Sequence, residues 1–340
     1  MTSFSWKWYL KDLKQDKDVT VFSTFSCGGG STMGYKRAGF KVLGNVEIDP
    51  KINAMYVKNH HPRFNYCMDL REFNTLADLP EELYNLDILD GSPPCSTFSM
   101  SGQREAAWGI KKQFREGQKE QRLDDLFFVF LDTVEKLKPR VVIAENVMGL
   151  LRGNAKGYVN EIIKRFHSIG YAVQIFALNA ALMDVPSRRE RVFFIANKEG
   201  FPSLKLSFNR PLIKFAEIKS PQGLPFKKTD GIYKRLLEQA IPSDKSISDV
   251  RERLGGKPSG FNHMIWHDDE VPPTIVSGNA KEQYRFCDKR LVTDMDILHA
   301  QSFPEDYDFN KESVPYVCGM SVPPNMMAHI ATEIYNQWLK

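Results

Sequence analysis

Short apolar segments alternate with helical patterns along residues 19–200. Amphipathic helical spacing is clearest at Asp124–Leu137 and Val159–Ser168. Strands that alternate with helices in this way predict a doubly wound α/β fold with a mainly parallel sheet. The strand candidates are Val19–Phe25, Lys41–Ile48, Ile88–Asp90, Val141–Glu145, Val173–Ala177 and Val192–Ala196.

The character of the sequence changes after Asn197. Residues 201–262 are rich in Pro, Gly, Ser and Lys, show little periodicity, and contain 12 lysines and arginines against 6 acidic residues. A globular pattern resumes near Thr274, and Pro323–Leu339 is typical of a helix. We therefore expect one domain over 1–200, a smaller and irregular basic domain over 201–270, and a segment over 271–340 that returns to the first domain.

Composition restricts the class of protein. The 340-residue chain has 42% hydrophobic and 26% charged residues, a formal net charge of +4, and no apolar run long enough for a transmembrane helix. Its N-terminus lacks the pattern of a secretory signal. The five cysteines are scattered and form no CxxC pair, which predicts a reducing compartment and no zinc site. We expect a cytoplasmic protein without a membrane partner.

A glycine turn follows the first predicted strand. The run Cys27-Gly28-Gly29-Gly30 allows the backbone to approach a ligand closely. Glu47 ends the second strand, where a carboxylate can accept both hydroxyls of a ribose, and Asp69 can accept from an adenine amino group. Because no GK[ST] sequence is present, a small adenosine compound is favoured over a nucleoside diphosphate. The pair His60-His61 is interpreted as a surface or capping feature.

Two further strand ends carry reactive side chains. Pro93-Pro94-Cys95 follows Ile88–Asp90, and Glu145 ends Val141–Glu145. In a parallel sheet both ends open at the carboxyl edge, where ligands bind. A thiolate and an acid in one pocket suit covalent attack on an electron-poor ring that the acid protonates. The alternatives are a buried structural cysteine and a salt-bridged acid.

Six ordered motifs resemble the C5-cytosine DNA methyltransferase family over nearly the whole chain. The glycine turn is similar to the S-adenosylmethionine loop, Pro94-Cys95 to the catalytic loop, and Glu145-Asn146-Val147 to the ENV motif. The remaining three resemble VPQxRxR, RxLTxxE…QxFP and GNSVxP, and are Val185–Arg191, Arg290–Pro304 and Gly319–Pro324.

The resemblance implies a Rossmann-like methyltransferase fold and a set of catalytic roles. Cys95 would be the nucleophile, and Glu145 would hydrogen-bond N3 and the exocyclic amine of cytosine. Asn146 would fix the catalytic loop through backbone hydrogen bonds. Arg191 would contact O2 of the base, while Arg189 would orient Glu145 or the loop. No catalytic metal is expected.

The implied cofactor is S-adenosylmethionine, with S-adenosylhomocysteine as its product. The implied partner is double-stranded DNA with a flipped-out cytosine, read by a target-recognition domain over 201–270 and covered by a basic lid over Ser99–Arg122. The expected cofactor contacts are Phe25, Cys27, Gly28, Gly30, Glu47, Ile48, Asp69, Leu70, Pro94 and Ser321.

The resemblance also suggests a biological setting. The chain would act as a monomer on DNA, cytoplasmic and associated with the nucleoid, with a cognate restriction endonuclease as functional partner. Two alternatives stay open, a tRNA cytosine-5 methyltransferase and a catalytically silent DNA-binding relative.

The chain departs from the family pattern at several positions but keeps the nucleophile, the glutamate and both arginines. Ser23 stands where the first strand often ends in Asp, and Cys27 stands where Gly is commoner. We therefore expect an active enzyme. The other departures are Ser96 and Ser187 in place of Gln, and Met320 in place of Asn.

Overall fold

The computed structural model describes residues 2–94, 126–151, 155–227, 231–258, 263–277 and 283–340. The chain divides into two compact units. The sheet unit comprises Leu13–Leu178, Glu190–Ser207 and Met327–Lys340. The lobe unit comprises Met1–Asp12, Asn179–Arg189 and Phe208–Met326.

A seven-stranded sheet forms the centre of the sheet unit, with the strand order β3-β2-β1-β4-β5-β7-β6. Strands β1 to β5 pair in parallel, whereas β7 runs antiparallel to β5. The predicted doubly wound, mainly parallel fold is confirmed. The strands are β1 Thr20–Thr24, β2 Lys41–Val46, β3 Phe64–Tyr66, β4 Ile88–Gly91, β5 Val141–Val147, β6 Ala172–Asn179 and β7 Glu190–Asn197.

Helices cover this sheet and follow from local sequence. Asp49 caps one of them by accepting from the amides of Lys51 and Ile52, and Pro50 occupies its first position. Phe127 and Phe130 belong to the apolar face of another, which packs into the core of the sheet unit. The first five helices are α1 Gly30–Arg37, α2 Pro50–His60, α3 Leu70–Thr75, α4 Leu126–Leu137 and α5 Ala155–Ser168.

The lobe unit contains short helices and a three-stranded sheet, with β9 parallel to β8 and antiparallel to β10. Its strands are β8 Ile265–Trp266, β9 Tyr284–Arg285 and β10 Arg290–Leu291. Its helices are α6 Phe215–Ile218, α7 Gly231–Glu238, α8 Ile247–Arg253, α9 Asp294–Ala300 and α10 Val314–Met320. The helix α11, Pro324–Ile334, continues into a π-helical turn at Tyr335–Leu339, close to the helix predicted there.

The irregular texture predicted for 201–262 is correct only in part, because three of these helices form within it. Helix α8 begins with a reciprocal cap in which Ser246 accepts from the amide of Asp249 and Asp249 accepts from that of Ser246. Leu237, Ile247 and Val250 form a local core. Helices of 4 to 8 residues are too short for a clear periodic signal.

The bounds of the units differ from the segments 1–200, 201–270 and 271–340 because distant parts of the chain are joined by buried hydrogen bonds. Asn325 donates from Nδ2 to the carbonyls of Phe4 and Asp184, at 3.1 and 2.7 Å. The amide of Phe4 donates to the Asp184 carboxylate at 3.0 Å. These contacts place the N-terminus in the lobe unit.

Candidate active site

The glycine turn leaves β1 with an unusual backbone. Phe25 and Cys27 have φ values of 52° and 46°, and Gly29 has a φ of 75°. This left-handed region is costly for residues with a Cβ and nearly free for glycine. The value at Cys27 explains why glycine is common there in the family pattern. Cys27 holds this conformation while its amide donates to Oε2 of Glu47 at 2.9 Å.

Glu47 is buried just beyond the end of β2 and fixes the turn. Its Oε1 accepts from the amide of Asp49 at 3.0 Å, while its other oxygen takes the amide of Cys27. Burial raises the pKa of Glu47, and the backbone donors of Asp49 and Cys27 oppose that rise. The carboxylate therefore links the turn after β1 to the segment after β2.

An apolar cleft opens beside this turn. One carboxylate, that of Asp69, lies at the cleft and caps α3 by accepting from the amide of Arg71 at 2.8 Å. The guanidinium of Arg71 pairs with the same carboxylate at 3.2 Å. Such a cleft is chemically suited to a flat heterocycle with one polar edge. Its lining residues are Phe25, Val46, Ile48, Met68, Asp69, Leu70 and Leu126, which include four of the predicted cofactor contacts.

His60 corrects a sequence-based interpretation. His61 ends α2 in a left-handed conformation, as expected of a capping residue, but His60 is buried and its side chain lies against the glycine turn. A Cβ built on Gly29 would lie 2.1 Å from Nε2 of His60. Burial holds the pKa of His60 well below its usual range, so the ring is neutral.

The missed signal was the helical spacing itself. Ile52, Tyr56 and His60 follow one another at intervals of four residues, and all three are buried on one face of α2. The ring centroids of His60 and Tyr56 lie 4.6 Å apart. The backbone carbonyl of His60 accepts from Nζ of Lys36 at 3.0 Å. The buried ring of His60 therefore packs against the glycine turn at Gly29.

The acid after β5 is paired. Nε of Arg191 lies 2.8 Å from Oε1 of Glu145, and both side chains are largely buried. In the antiparallel ladder Glu145 faces Phe193 and Val147 faces Arg191, so Glu145 and Arg191 are diagonal neighbours on one face. Burial lowers the pKa of Arg191, and the charge of Glu145 opposes this.

Of the two predicted arginines, Arg191 rather than Arg189 pairs with Glu145. Arg189 is buried within the lobe unit and donates to the carbonyls of Ile275 and Gly319, at 3.0 and 2.9 Å. Two arginines that are only two positions apart therefore have different partners. Gly319 has no room for a side chain, because a Cβ there would lie 2.6 Å from the amide of Ser277.

Asn146 connects β5 to the turn after β4. Its Nδ2 donates to the carbonyl of Pro93 at 3.2 Å, and its Oδ1 accepts from the amide of Val147 at 2.9 Å. Pro94 ends this described stretch. Cys95 and the predicted lid Ser99–Arg122 lie outside the described residues.

The sequence profile of the C-5 cytosine-specific DNA methylase family matches residues 19–336. The chain belongs to this family. As a member it is a DNA cytosine-5 methyltransferase, in agreement with the resemblance of its motifs.

Sequence similarity to individual methyltransferases supports the assignment of the chain to this family. The Type II methyltransferase M.Sau96I of Staphylococcus aureus is 28% identical over 96% of this chain and 77% of that protein. M.AplI of Arthrospira platensis, also a Type II methyltransferase, is 30% identical over 97% of this chain and 90% of that protein. Both relatives match this chain over nearly its whole length.

Solved structures show the same fold. A structure described as a DNA modification methyltransferase encoded within an E. coli prophage has a TM-score of 0.66 and 20% identity, covering 95% of this chain and all of that chain. Spodoptera frugiperda DNMT2 has a TM-score of 0.64 and 14% identity, covering 94% of this chain and all of that chain.

Two of the positions that depart from the family motifs, Ser187 and Met320, lie in the lobe unit of the methyltransferase. Ser187 is fully buried and its hydroxyl donates to the carbonyl of Pro273 at 3.3 Å. Ser321 ends α10 within the lobe unit, directly after Met320. Met320 is partly buried.

The described residues were searched for membrane-spanning helices and for metal-binding groups. Across these ranges, the helices of the methyltransferase are too short or too polar to cross a membrane. No group of three His, Cys, Asp or Glu side chains in the same ranges is placed to hold a metal ion.

Proposed function

We propose that this methyltransferase transfers a methyl group from S-adenosylmethionine to C5 of a flipped-out cytosine at a specific site in double-stranded DNA, through a covalent Cys95–C6 adduct. The observation that carries the proposal is the buried Glu145–Arg191 pair at 2.8 Å. It lies beside Asn146, whose side chain anchors the turn that leads into Cys95.

The thiolate of Cys95 attacks C6 of the ring, and the electron pair displaced from the C5–C6 bond makes C5 nucleophilic. Glu145 hydrogen-bonds N3 and the exocyclic amine and donates a proton as the adduct forms. Arg191 contacts O2 and holds Glu145 in place. The bound sulfonium supplies the methyl group. A base, water in the simplest case, then removes the C5 proton, and the C6–S bond breaks.

The residues of the sheet unit fit an adenosine-type cofactor, because an apolar cleft adjoins two buried or capping carboxylates. Glu47 would accept the ribose hydroxyls and Asp69 the adenine amino group. Phe25, Ile48 and Leu70 would enclose the ring. The backbone of Cys27, Gly28 and Gly30, together with Pro94, would hold the remainder of the cofactor.

We assign DNA recognition to the basic segment over 201–270. Arg253 is committed to an ion pair with Asp244 at 2.8 Å and is a poor candidate for base readout. Lys234 and Arg235 are exposed on α7 and suit phosphate contacts, which give salt-dependent and sequence-independent affinity. The remaining candidates are Lys227, Arg251 and Lys257, with Lys228 outside the described residues.

The Type II relatives also support a role in DNA modification. We propose a monomer acting on cytoplasmic, nucleoid-associated DNA, with a cognate restriction endonuclease as functional partner.

The test is covalent trapping on DNA containing 5-fluorocytosine. Fluorine at C5 cannot leave as a proton does, so methyl transfer to this base leaves the protein attached. We expect a denaturant-stable complex that requires S-adenosylmethionine and is absent in Cys95→Ser. Trapping on fluorocytosine-containing tRNA alone would favour the RNA alternative, and cofactor and DNA binding without trapping would favour a silent relative.

A further inference from the structure

Asp90 is a buried acid that the mechanism above leaves unused. It lies on β4, is 1% exposed, and is surrounded by hydroxyl groups. Ser23 donates to one carboxylate oxygen at 2.9 Å, and Tyr35 donates to the other at 2.9 Å. The hydroxyl of Ser31 also acts on this carboxylate and lowers its pKa.

These hydroxyls come from two other elements of the sheet unit. Ser23 lies on β1 directly opposite Asp90 in the parallel ladder. Ser31 and Tyr35 lie on α1, which begins at the end of the glycine turn. Asp90 also accepts through its own carbonyl from Thr24 at 3.1 Å. A single acid thus joins β1, α1 and the strand that leads into the Pro93-Pro94 turn.

The position of this acid relates to a departure in the sequence. Ser23 stands where the first strand of the family pattern often ends in Asp. Here the carboxylate lies on the neighbouring strand, and Ser23 has become one of its donors. The charge is therefore present in the same layer of the sheet but belongs to the strand that precedes Cys95.

We propose that Asp90 is a positioning residue whose ionised carboxylate couples the glycine turn to the catalytic turn, so that its protonation weakens cofactor binding. This inference rests on the proposed function. The ionised carboxylate accepts from both Ser23 and Tyr35, whereas a protonated one becomes a donor and leaves one of these hydroxyls without its acceptor. The contact of β1 or α1 with Asp90 would then lose a buried hydrogen bond.

The electrostatic surroundings place this change near neutral pH. Burial raises the pKa of Asp90 to about 7, and the hydroxyls of Ser23, Tyr35 and Ser31 oppose the rise. Among the described residues, the titratable groups that interact with Asp90 are Tyr35 from α1, Tyr56 from α2 and Glu145 from β5. Both tyrosines have raised pKa values, and the carboxylate of Glu145 adds to the rise in the pKa of Asp90 that burial causes.

The test measures binding of S-adenosylhomocysteine by calorimetry between pH 6 and pH 8, without DNA. If only the ionised form binds well, affinity falls about tenfold between pH 8 and pH 6. Asp90→Asn should lose this dependence. Ser23→Ala and Tyr35→Phe each remove a donor that favours the ionised form, so both should move the midpoint to higher pH.

A pH profile shared by the wild type and Asp90→Asn, or a midpoint unmoved in Ser23→Ala and Tyr35→Phe, would overturn the inference. If Asp90→Asn fails to fold, the two hydroxyl variants carry the test. Failure of DNA methylation by a protein that shows the pH step would instead overturn the proposed function and leave the role of Asp90 standing.

A ligand-free measurement covers a protein that does not bind S-adenosylhomocysteine. The carboxyl carbon of Asp90, assigned by its loss in Asp90→Asn, is titrated by NMR together with the amides of residues 26–31. A common midpoint near neutral pH supports the coupling, and amides that do not respond to the carboxyl titration contradict it.

Discussion

Arg191 and Glu145 meet diagonally across the antiparallel strands β7 and β5, with 2.8 Å between Nε and Oε1. A buried carboxylate fixed in this way keeps one oxygen on the arginine and leaves the other side of the group for a substrate. Removing one partner of such a pair leaves an uncompensated buried charge. We therefore expect methyl transfer to require Arg191 as well as the glutamate with which it pairs.

Arg191→Gln should lower the rate of methyl transfer by about 100-fold or more, the effect typical of losing one oriented polar group in a site. Single-turnover transfer of labelled methyl groups to DNA measures this. Arg140→Gln is the matched control, because Arg140 precedes the other end of β5 and pairs with Asp87 and Glu199 at the surface. Near-wild-type transfer by folded Arg191→Gln would contradict the assigned role.

Glu47→Gln should weaken binding of S-adenosylhomocysteine by about tenfold, equivalent to about 1.4 kcal/mol. In the wild type the two carboxylate oxygens accept from the backbone amides of Cys27 and Asp49. The glutamine side chain keeps one accepting oxygen, but its NH2 group would face the other backbone amide, and two donors cannot pair. Calorimetric titration gives the affinity. Glu82→Gln, which loses only an exposed ion pair with Arg63, should bind normally. Equal affinities of the two variants would exclude the proposed contact.

Gly29→Ala and Gly170→Ala separate backbone strain from contact with His60. Both glycines have positive φ values, 75° and 85°. A Cβ added to Gly29 would lie 2.1 Å from Nε2 of His60, whereas a Cβ added to Gly170 would meet nothing within 4 Å. Gly170→Ala should cost about 1–2 kcal/mol of unfolding free energy and leave cofactor affinity unchanged. Gly29→Ala should lose more stability and also bind S-adenosylhomocysteine poorly. Denaturant titration and calorimetry distinguish the two losses, and indistinguishable variants would argue against the support from His60.

Titration of Asp90 should also make the unfolding free energy depend on pH. Its pKa rises from 3.8 to about 7 on folding, so between these values the native state binds more protons than the unfolded state. Its contribution is therefore greatest below pH 4 and declines as pH rises to 7, by about 4 kcal/mol at most. The unfolding free energy of Asp90→Asn, relative to the wild type, should increase over this window. A constant difference across the window would contradict the raised pKa.

The sequence allowed the sheet to be predicted because apolar runs such as Val141–Glu145 end abruptly in polar residues. It could not distinguish Arg189 from Arg191, since their spacing suits one side of a strand, whereas β7 begins only at Glu190 and leaves Arg189 in the lobe unit. His60 was accessible from its spacing on α2 but was interpreted as a helix end. The role of Asp90 depends on Ser23 and Tyr35, which meet it only after folding.

The most direct test of the proposed reaction is single-base mapping of 5-methylcytosine in DNA from a methylation-free host that expresses either the wild type or Cys95→Ser. We predict modification at one short motif in the wild-type culture and none with Cys95→Ser, although the variant still binds DNA and S-adenosylhomocysteine. Unmodified DNA from the wild-type culture, or equal methylation with Cys95→Ser, would contradict it.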